Sequence, residues 1–223
     1  MDYSKIHTSK RGDAMIIFDL FSGTGSSTQA FKDAGHTVIT FEMDTQFEAT
    51  EHVDIFNLTA FNLIKKYGRP DFIWASPPCT AFSVASMGHH WSGGWRVYEP
   101  KTEFALTSQK LVAHTLKLIK QLNPKKGWLM ENPRGMLRKL PVVEGFERRT
   151  VTYCTYGDSR MKPTDLWGEV EGWTPRVPCK NGQGCHEAAP RGSKTGTQGL
   201  KGAKDRSRVP YDLGFEILEA LNK

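Results

Sequence analysis

Short apolar runs alternate with amphipathic stretches along most of the chain. The runs rich in β-branched and aromatic residues predict strands over 15–20, 37–41, 71–75, 127–130 and 149–153. Apolar residues at helical spacing predict helices over 26–34, 60–67 and 107–122. Strands and helices that alternate in this way are typical of an α/β fold, in which a mostly parallel, doubly wound sheet has helices on both faces.

This periodicity stops in two other parts of the chain. Residues 84–101 are rich in Gly, His, Trp and Ser, which predicts a long functional loop rather than a regular element. Residues 168–208 are rich in Gly, Pro, Lys and Arg and predict a small irregular lobe, before 209–221 resume as a helix. We therefore predict a main domain over 1–167, a basic lobe over 168–208 and a C-terminal helix within 209–223 that returns to the main domain.

The balance of charged residues is basic, with 30 Lys and Arg against 24 Asp and Glu and a formal net charge of +6. A basic chain favours a polyanionic partner such as nucleic acid, although charge alone is weak evidence. No apolar run approaches the ~18 residues of a membrane span, and the polar N-terminus lacks a signal-peptide pattern. The four unevenly spaced cysteines do not form a disulfide framework, so we expect a cytoplasmic protein whose cysteines are thiols or metal ligands.

A glycine-rich turn over residues 21–27 joins the first predicted strand to the first predicted helix. Glycines there let backbone N–H groups approach a ligand, although tight strand-to-helix turns need glycine in any case. Glu42 ends the next strand, nineteen positions after Gly23, where a carboxylate is well placed for ribose hydroxyls. Asp54 could accept a hydrogen bond from an adenine amino group, or it could cap a turn or helix.

Two candidate catalytic residues follow other predicted strands. Cys79 comes directly after two prolines, where a strand leaves the sheet, and a thiol fixed there suits a nucleophile. The alternative is a structural thiol, because free cysteines are usually buried. Glu131 also ends a strand close to a proline, where a carboxyl group can act as an acid or simply belong to a turn. Open parallel sheets place their chemistry at the carboxyl ends of strands, where both residues lie.

The segments DLFSGTGSSTQAF, FEMD, VDI, SPPCTAFS and MENP follow one another in the order and spacing of the DNA cytosine-5 methyltransferases. Pro-Pro-Cys and Glu-Asn-Pro carry most of this resemblance, which covers residues 15–167. It implies a Rossmann-like S-adenosylmethionine-dependent methyltransferase fold and a DNA (cytosine-5-)methyltransferase activity. Two alternatives stay open: an RNA enzyme that methylates tRNA, since one branch with the same motifs does so, and a DNA-binding relative that has lost catalysis.

The resemblance also implies roles for residues of this chain. Cys79 would add to C6 of cytosine, Glu131 would engage N3, and Asn132 would hold the loop that carries Cys79. Because C6 cannot be reached inside a duplex, the base would be flipped out of the DNA, and residues 84–97 would close over it. The implied contacts to S-adenosylmethionine are Phe21, Ser22, Gly23, Thr24, Gly25, Glu42, Met43, Asp54, Ile55 and Pro77.

The chain departs from the family pattern after residue 157. Family members carry a Gln-x-Arg-x-Arg segment after a Tyr-Gly pair, whereas this chain reads DSRMKPTDLW. Arg160 and Lys162 are therefore the cations that could reach O2 of cytosine. The usual target-recognition region is also much reduced, as in the compact methyltransferases that bacterial viruses encode for DNA methylation and restriction-modification. A phage-encoded enzyme would act in the host cytoplasm; the sequence does not fix the oligomeric state, and we take a monomer as the expectation.

The reduced region has two further features. Seven Lys and Arg stand against two acidic residues within 180–208, so this segment either binds DNA phosphates without reading sequence or is a solvated loop. Cys179, Cys185 and His186 also cluster there, and Cys154 could join them in space to form a tetrahedral zinc site. Their spacing is not a standard zinc-finger pattern, but a small lobe with little core would gain stability from such a metal.

Overall fold

The computed structural model describes residues 14–94, 97–180, 182–188 and 202–223. The strands in these ranges are β1 (Ile16–Leu20), β2 (Thr37–Glu42), β3 (Glu51–His52), β4 (Phe72–Ala75), β5 (Trp91–Gly94), β6 (Val97–Pro100), β7 (Gly127–Pro133), β8 (Arg148–Thr152) and β9 (Pro163–Val170). The α-helices are α1 (Gln29–Asp33), α2 (Ala60–Tyr67), α3 (Met87–His90), α4 (Glu103–Leu122), α5 (Ala203–Ser207) and α6 (Tyr211–Leu221).

Seven of the strands form one sheet in the order β3-β2-β1-β4-β7-β9-β8. The first five strands in this order pair in parallel, and β9 runs antiparallel between β7 and β8. The parallel arrangement brings the carboxyl ends of β1, β2, β4 and β7 to one edge of the sheet. The predicted α/β class and mostly parallel sheet are confirmed.

The central strands are buried because helices cover both faces of the sheet. All four residues of β4 are buried, as are the last four of β1, and such continuous apolar runs are typical of parallel strands. On one face Phe18 and Ile73 belong to an apolar cluster with residues of α2 and α4, and on the other Trp74 belongs to a cluster with α6. In the part of the chain that the structure describes, no helix is long and apolar enough to cross a membrane.

The segment 84–101 was predicted to lack regular elements, and this prediction was wrong. It contains α3 and the antiparallel hairpin of β5 and β6. Trp91 anchors the hairpin, since its ring is buried and its Nε1 donates to the carbonyl of Ala81 at 2.7 Å. Gly93 has a φ of +93°, and a Cβ there would lie 2.2 Å from the carbonyl oxygen of Val97. Because the strands have four residues each and two of those in β5 are glycines, the sequence carries no clear strand period.

Several other elements differ from the sequence-based expectation: α1 is shorter than 26–34, β7 continues to Pro133, and β3 was not predicted. Helix α4 begins at Glu103 rather than 107, because the Thr102 hydroxyl accepts from the backbone N–H of Ala105 at 3.2 Å and caps it. Strand β9 was not predicted, and it runs across the boundary proposed at 167–168. The division of the chain into three parts stays a prediction.

The C-terminal helix α6 packs against α1, which is the helix that follows the glycine-rich turn. Val209 donates its backbone N–H to the Ser26 hydroxyl at 3.0 Å, which ties the start of this segment to the turn. Within α6, a Cβ at Gly214 would lie 3.0 Å from the carbonyl oxygen of Ser27, so the two segments approach closely. The end of the chain therefore supports the segment that follows β1.

Candidate active site

The turn after β1 meets the end of β2 through its backbone. The N–H groups of Phe21 and Ser22 both donate to the carbonyl of Phe41, at 2.9 and 3.1 Å. The N–H of Gly23 donates to Oε2 of Glu42 at 2.9 Å, so two of the predicted cofactor residues lie in direct contact. Oε1 of Glu42 accepts the backbone N–H groups of Met43 and Asp44 at 2.9 and 3.0 Å, so the second lone pair of Oε2 is the acceptor left for a ligand hydroxyl.

The remaining predicted cofactor residues have different surroundings. Met43 follows Glu42 and is 67% exposed, so its apolar side chain is available for a flat ring to pack on. Asp54 accepts the backbone N–H of Phe56 at 2.9 Å and thus caps a short 3₁₀-helix. This capping uses Oδ1 alone, so it is compatible with a further contact from Oδ2. Ile55 is buried in the same 3₁₀-helix.

A buried hydroxyl at the turn suggests that a polar ligand belongs there. Ser22 is only 6% exposed, yet its Oγ has no hydrogen-bond partner among the described residues. Buried polar atoms nearly always have partners, so this group is available to a ligand that reaches the turn. The combination of Ser22, the Gly23 backbone and the Glu42 carboxylate fits the polar methionine and ribose parts of S-adenosylmethionine.

The sequence analysis did not assign a role to Asp19, which lies one residue before the end of β1. Its carboxyl group is fully buried, and Oδ2 accepts the hydroxyls of Ser27 at 2.9 Å and Thr28 at 2.6 Å. Burial raises the pKa of Asp19 to about 6, although these two hydrogen bonds act in the opposite direction. Asp19 therefore fixes the start of α1, at the cost of keeping a charged group in the core near neutral pH.

The raised pKa of Asp19 predicts how stability depends on pH. The folded state binds the proton more tightly than the unfolded chain, so the contribution of Asp19 to stability is present below about pH 4 and is lost as the pH rises to about 6. We expect the free energy of unfolding of Asp19→Asn, relative to wild type, to increase by about 3 kcal/mol over this interval. Urea denaturation of both proteins from pH 4 to pH 7 measures this difference; a constant difference would contradict it.

Cys79 lies in a segment that is held to the neighbouring strand β7. Asn132 is fully buried and donates from Nδ2 to the carbonyl oxygen of Pro77 at 2.9 Å, two residues before Cys79. Beyond Cys79 the chain curls back, because the N–H groups of Phe82 and Ser83 both donate to the Cys79 carbonyl at 2.9 Å. These contacts hold the thiol, which is half-buried, from both sides.

Glu131 has two partners that come from distant parts of the sequence. The buried hydroxyl of Tyr153 donates to its Oε1 at 3.0 Å, and Nζ of Lys162 lies 4.0 Å from the same oxygen. Burial and the negative charge of Glu131 hold the pKa of Tyr153 well above its usual value, so this hydroxyl keeps its proton and remains a donor. Tyr153 is thus a candidate site residue that the sequence analysis missed.

Electrostatic coupling brings Cys79 into the same group of residues. Burial raises the pKa of the Cys79 thiol, and the negative charge of Glu131 raises it further. The positive charges of Lys162 and Arg206 lower it, but they do not cancel the other two effects. Arg206, in α5, was not predicted as a site residue, since nothing in its local sequence places it beside a strand end.

The structure distinguishes between the two cations that the sequence left open for cytosine O2. Arg160 is 4% exposed, and its guanidinium binds Asp158 and the backbone carbonyls of residues 205, 206 and 208. All three of its side-chain nitrogens therefore already have acceptors within the protein. Lys162 lies beside Glu131 instead, although its Nζ also donates to the carbonyl of Arg206 at 3.0 Å. The geometry favours Lys162 near the substrate, and it favours Arg160 as the residue that holds 205–208.

Two predictions concern the segment after β9. The candidate metal ligands Cys154, Cys179, Cys185 and His186 come together, with their ligand atoms all within 4.8 Å of one another. The structure describes only part of the basic segment 180–208, and Arg191, Lys194 and Lys201 lie outside the described residues. Its interpretation as a phosphate-binding segment stays a prediction.

Comparisons with known proteins show what the chain is similar to. The chain is 29% identical to the probable DNA (cytosine-5)-methyltransferase of Frog virus 3 (isolate Goorha), over 92% of this chain and 99% of that protein. It also resembles the solved structure of the Entamoeba histolytica methyltransferase EhMeth, with a TM-score of 0.53 and 12% identity, over 74% of this chain and 56% of that one. The latter likeness concerns the fold alone, and it confirms the predicted methyltransferase fold.

A family comparison covers the strand ends that carry the candidate residues. The model of the C-5 cytosine-specific DNA methylases matches residues 15–141, which include the glycine-rich turn, Cys79 and Glu131. Because this match spans more than half of the chain, the protein belongs to the C-5 cytosine-specific DNA methylase family.

Proposed function

We propose that this protein transfers the methyl group of S-adenosylmethionine to C5 of cytosine in DNA through a covalent adduct with Cys79. The observation that carries the proposal is the position of Cys79 after β4 and of Glu131 in the neighbouring strand β7, where Asn132 ties the segment before Cys79 to β7 and Nζ of Lys162 lies 4.0 Å from Glu131. A nucleophile, a carboxyl group and a cation are the three groups that addition to a pyrimidine ring requires. Family membership and the viral relative support the same reaction.

The cofactor would be held at the neighbouring strand ends of β1 and β2. The backbone of Gly23 and the Ser22 hydroxyl would contact its methionine part, Glu42 would bind the ribose hydroxyls, and Met43 would pack on the adenine. Asp54 would reach the adenine edge beyond β3. When bound, S-adenosylmethionine supplies an electrophilic methyl group on its positively charged sulfur.

The residues of the chain account for the changes in the pyrimidine ring. The Cys79 thiolate forms a bond to C6, and the electrons of the C5–C6 double bond move toward C5 and the ring nitrogen N3. Glu131 would take up a proton when cytosine binds, give it to N3 as negative charge develops there, and recover it when the ring regains its double bond. C5 is then nucleophilic enough to accept the methyl group. Loss of the C5 proton re-forms the double bond and expels the Cys79 thiolate.

The proposed reaction includes a cytosine that has left the DNA stack. Enzymes that act on the ring atoms of a base cannot reach them inside a duplex, so C6 and N3 would meet Cys79 and Glu131 only after the base is flipped out. The segment 84–97 begins a few residues after Cys79, and we infer that it closes over the flipped cytosine. Lys162 would be the cation that contacts O2 of that base.

Methyl transfer to defined nucleic acids tests the proposed function. We expect the purified protein to transfer a labelled methyl group from S-adenosylmethionine to duplex DNA and not to tRNA. Bisulfite sequencing of DNA from cells that express the protein should then show methylated cytosines in one sequence context, in contrast to cells that express Cys79→Ser. Labelling confined to tRNA would overturn the choice of DNA as the substrate.

A further inference from the structure

We propose that Cys154, Cys179, Cys185 and His186 bind one Zn²⁺ ion in a tetrahedral site. This inference goes beyond the methyl-transfer reaction, because none of these residues is needed for the steps at cytosine. Three thiolates and one imidazole are a donor set that zinc prefers in structural sites. The bound metal would fasten the segment after β9 to the end of β8.

The distances between the four ligand atoms are close to those of a zinc site. A tetrahedral ion with Zn–S bonds of about 2.3 Å and Zn–N bonds of about 2.0 Å separates two sulfurs by about 3.8 Å, and a sulfur from a nitrogen by about 3.5 Å. Here the Sγ atoms of Cys185 and Cys154 are 3.7 Å apart. Nδ1 of His186 lies 3.4 Å from Sγ of Cys179 and 3.6 Å from Sγ of Cys185.

One pair of ligands is closer than this ideal. The Sγ atoms of Cys179 and Cys185 are 3.0 Å apart, which is shorter than an edge of the tetrahedron. It is also about 1 Å longer than a disulfide bond, so the two sulfurs are not bonded. A shift of less than 1 Å would place this pair at the distance that zinc requires.

The ligands are positioned by contacts that do not involve the metal. Cys154 is buried in a 3₁₀-helix that directly follows β8. Cys179 donates its backbone N–H to the Thr152 hydroxyl at 2.7 Å. After His186, the N–H of Glu187 donates to the Ser159 carbonyl at 2.9 Å. The loop that carries three of the ligands is thus anchored on both sides of Cys154.

The turn between Cys179 and Cys185 brings these two residues together. Lys180 donates its N–H to Oε1 of Gln183 at 2.8 Å, and the N–H of Gln183 donates back to the Lys180 carbonyl at 3.2 Å. This pair of hydrogen bonds reverses the chain direction within a few residues. The reversal explains how a spacing that differs from the standard zinc-finger patterns still produces a compact ligand set.

The segment has little else to hold it in place. None of the described residues in 174–180 and 182–188 is buried, so apolar packing contributes little to its order. Metal binding is a common substitute for a hydrophobic core in such small segments. The location of the site also matters, because Cys154 directly follows Tyr153, whose hydroxyl donates to Glu131. A zinc ion would therefore brace the part of the fold that supports this carboxylate.

Metal content of the full-length protein tests the proposal. The protein is purified under reducing conditions with added zinc and dialysed, and its zinc content is measured by inductively coupled plasma mass spectrometry. We expect one zinc per chain in the wild type and loss of most of this zinc during dialysis in Cys185→Ser and His186→Ala, which each lack one of the four ligands. Cys79→Ser and His52→Ala are matched controls outside the cluster, and both should retain one zinc. Far-UV circular dichroism establishes that each variant is folded.

Cobalt substitution adds a readout of the ligand set itself. Replacement of zinc by Co²⁺ should give the intense visible bands of a tetrahedral site and a thiolate-to-metal absorption in the near ultraviolet. Both should disappear in Cys185→Ser but persist in Cys79→Ser. Chelation should also make residues 174–188 of the wild type more sensitive to proteolysis.

Three results would overturn the zinc site. They are a reduced, folded wild type that takes up no zinc or cobalt, equal metal loss in the control variants, and a Cys179–Cys185 disulfide in protein prepared with reductant. None of these measurements depends on methyl transfer. A protein that binds zinc but methylates no DNA would therefore refute the proposed function and leave the metal site in place.

Discussion

Cys79→Ser should abolish methyl transfer, with a loss of more than about 10³-fold in kcat while the affinity for S-adenosylmethionine is unchanged. A hydroxyl has almost the same size as a thiol, so the hydrogen bonds around the Cys79 backbone and the contact of Asn132 with Pro77 should persist. It is however far less acidic than a thiol and is a poor nucleophile toward C6 of a pyrimidine. Transfer of labelled methyl groups to duplex DNA measures the loss, and calorimetry measures cofactor binding.

A trapping experiment tests the covalent step separately. In 5-fluorocytosine a fluorine atom replaces the hydrogen that must be removed from C5 as a proton. The final elimination is therefore blocked, and the bond between Cys79 and C6 should persist after methyl transfer. We expect wild-type protein and DNA containing 5-fluorocytosine to form a complex that survives denaturing electrophoresis, and Cys79→Ser to form none. If Cys79→Ser kept the activity of the wild type in cells, Cys79 would not be the nucleophile, and the role of a DNA-binding relative without catalysis would be favoured.

Four of the five strands in the parallel part of the sheet, all except the two-residue β3, could be predicted from the sequence because the sheet is covered on both faces. Burial of this kind makes β1 and β4 nearly continuous apolar runs, which stand out against the helices between them. Strand β9 has no such signal. It begins with Pro163 and contains Asp165 and Gly168, which are residues that strands usually avoid. Pairing with β7 on one side and β8 on the other outweighs these local preferences.

The candidate site shows the same limit of prediction from sequence. Cys79, Glu131 and Glu42 could be chosen because each stands at the end of an apolar run, where the fold class places chemistry. Arg160 and Lys162 could not be told apart, because their partners include carbonyl groups more than forty positions away in sequence. The hydrogen bond from Tyr153 to Glu131 likewise depends on how β8 and β7 are placed in the sheet.

Glu131→Gln should lower kcat for methyl transfer by about 10²–10³-fold, because an amide cannot share a proton with N3 as the ring takes up charge. The substitution keeps the size of the side chain and can still accept the hydroxyl of Tyr153. Glu131→Gln should also have a second effect, which favours the nucleophile instead of slowing the reaction. Removal of the negative charge lowers the pKa of the Cys79 thiol, which Glu131 raises in the wild type. We therefore expect a more reactive thiol in an almost inactive enzyme.

The rate of Cys79 alkylation by iodoacetamide as a function of pH measures this second effect, with the modified peptide quantified by mass spectrometry. The pH at which the alkylation rate reaches half of its maximum, the alkylation midpoint, should be lower in Glu131→Gln than in the wild type. It should be higher in Lys162→Met, since Lys162 lowers the pKa of Cys79. Opposite shifts would show that both charges act on the thiol. We expect cytosine binding to promote ionisation of Cys79, because a proton taken up by Glu131 at N3 would remove the negative charge that raises the pKa of the thiol. An alkylation midpoint that moves in neither variant would refute this coupling, whatever the effect of Glu131→Gln on kcat.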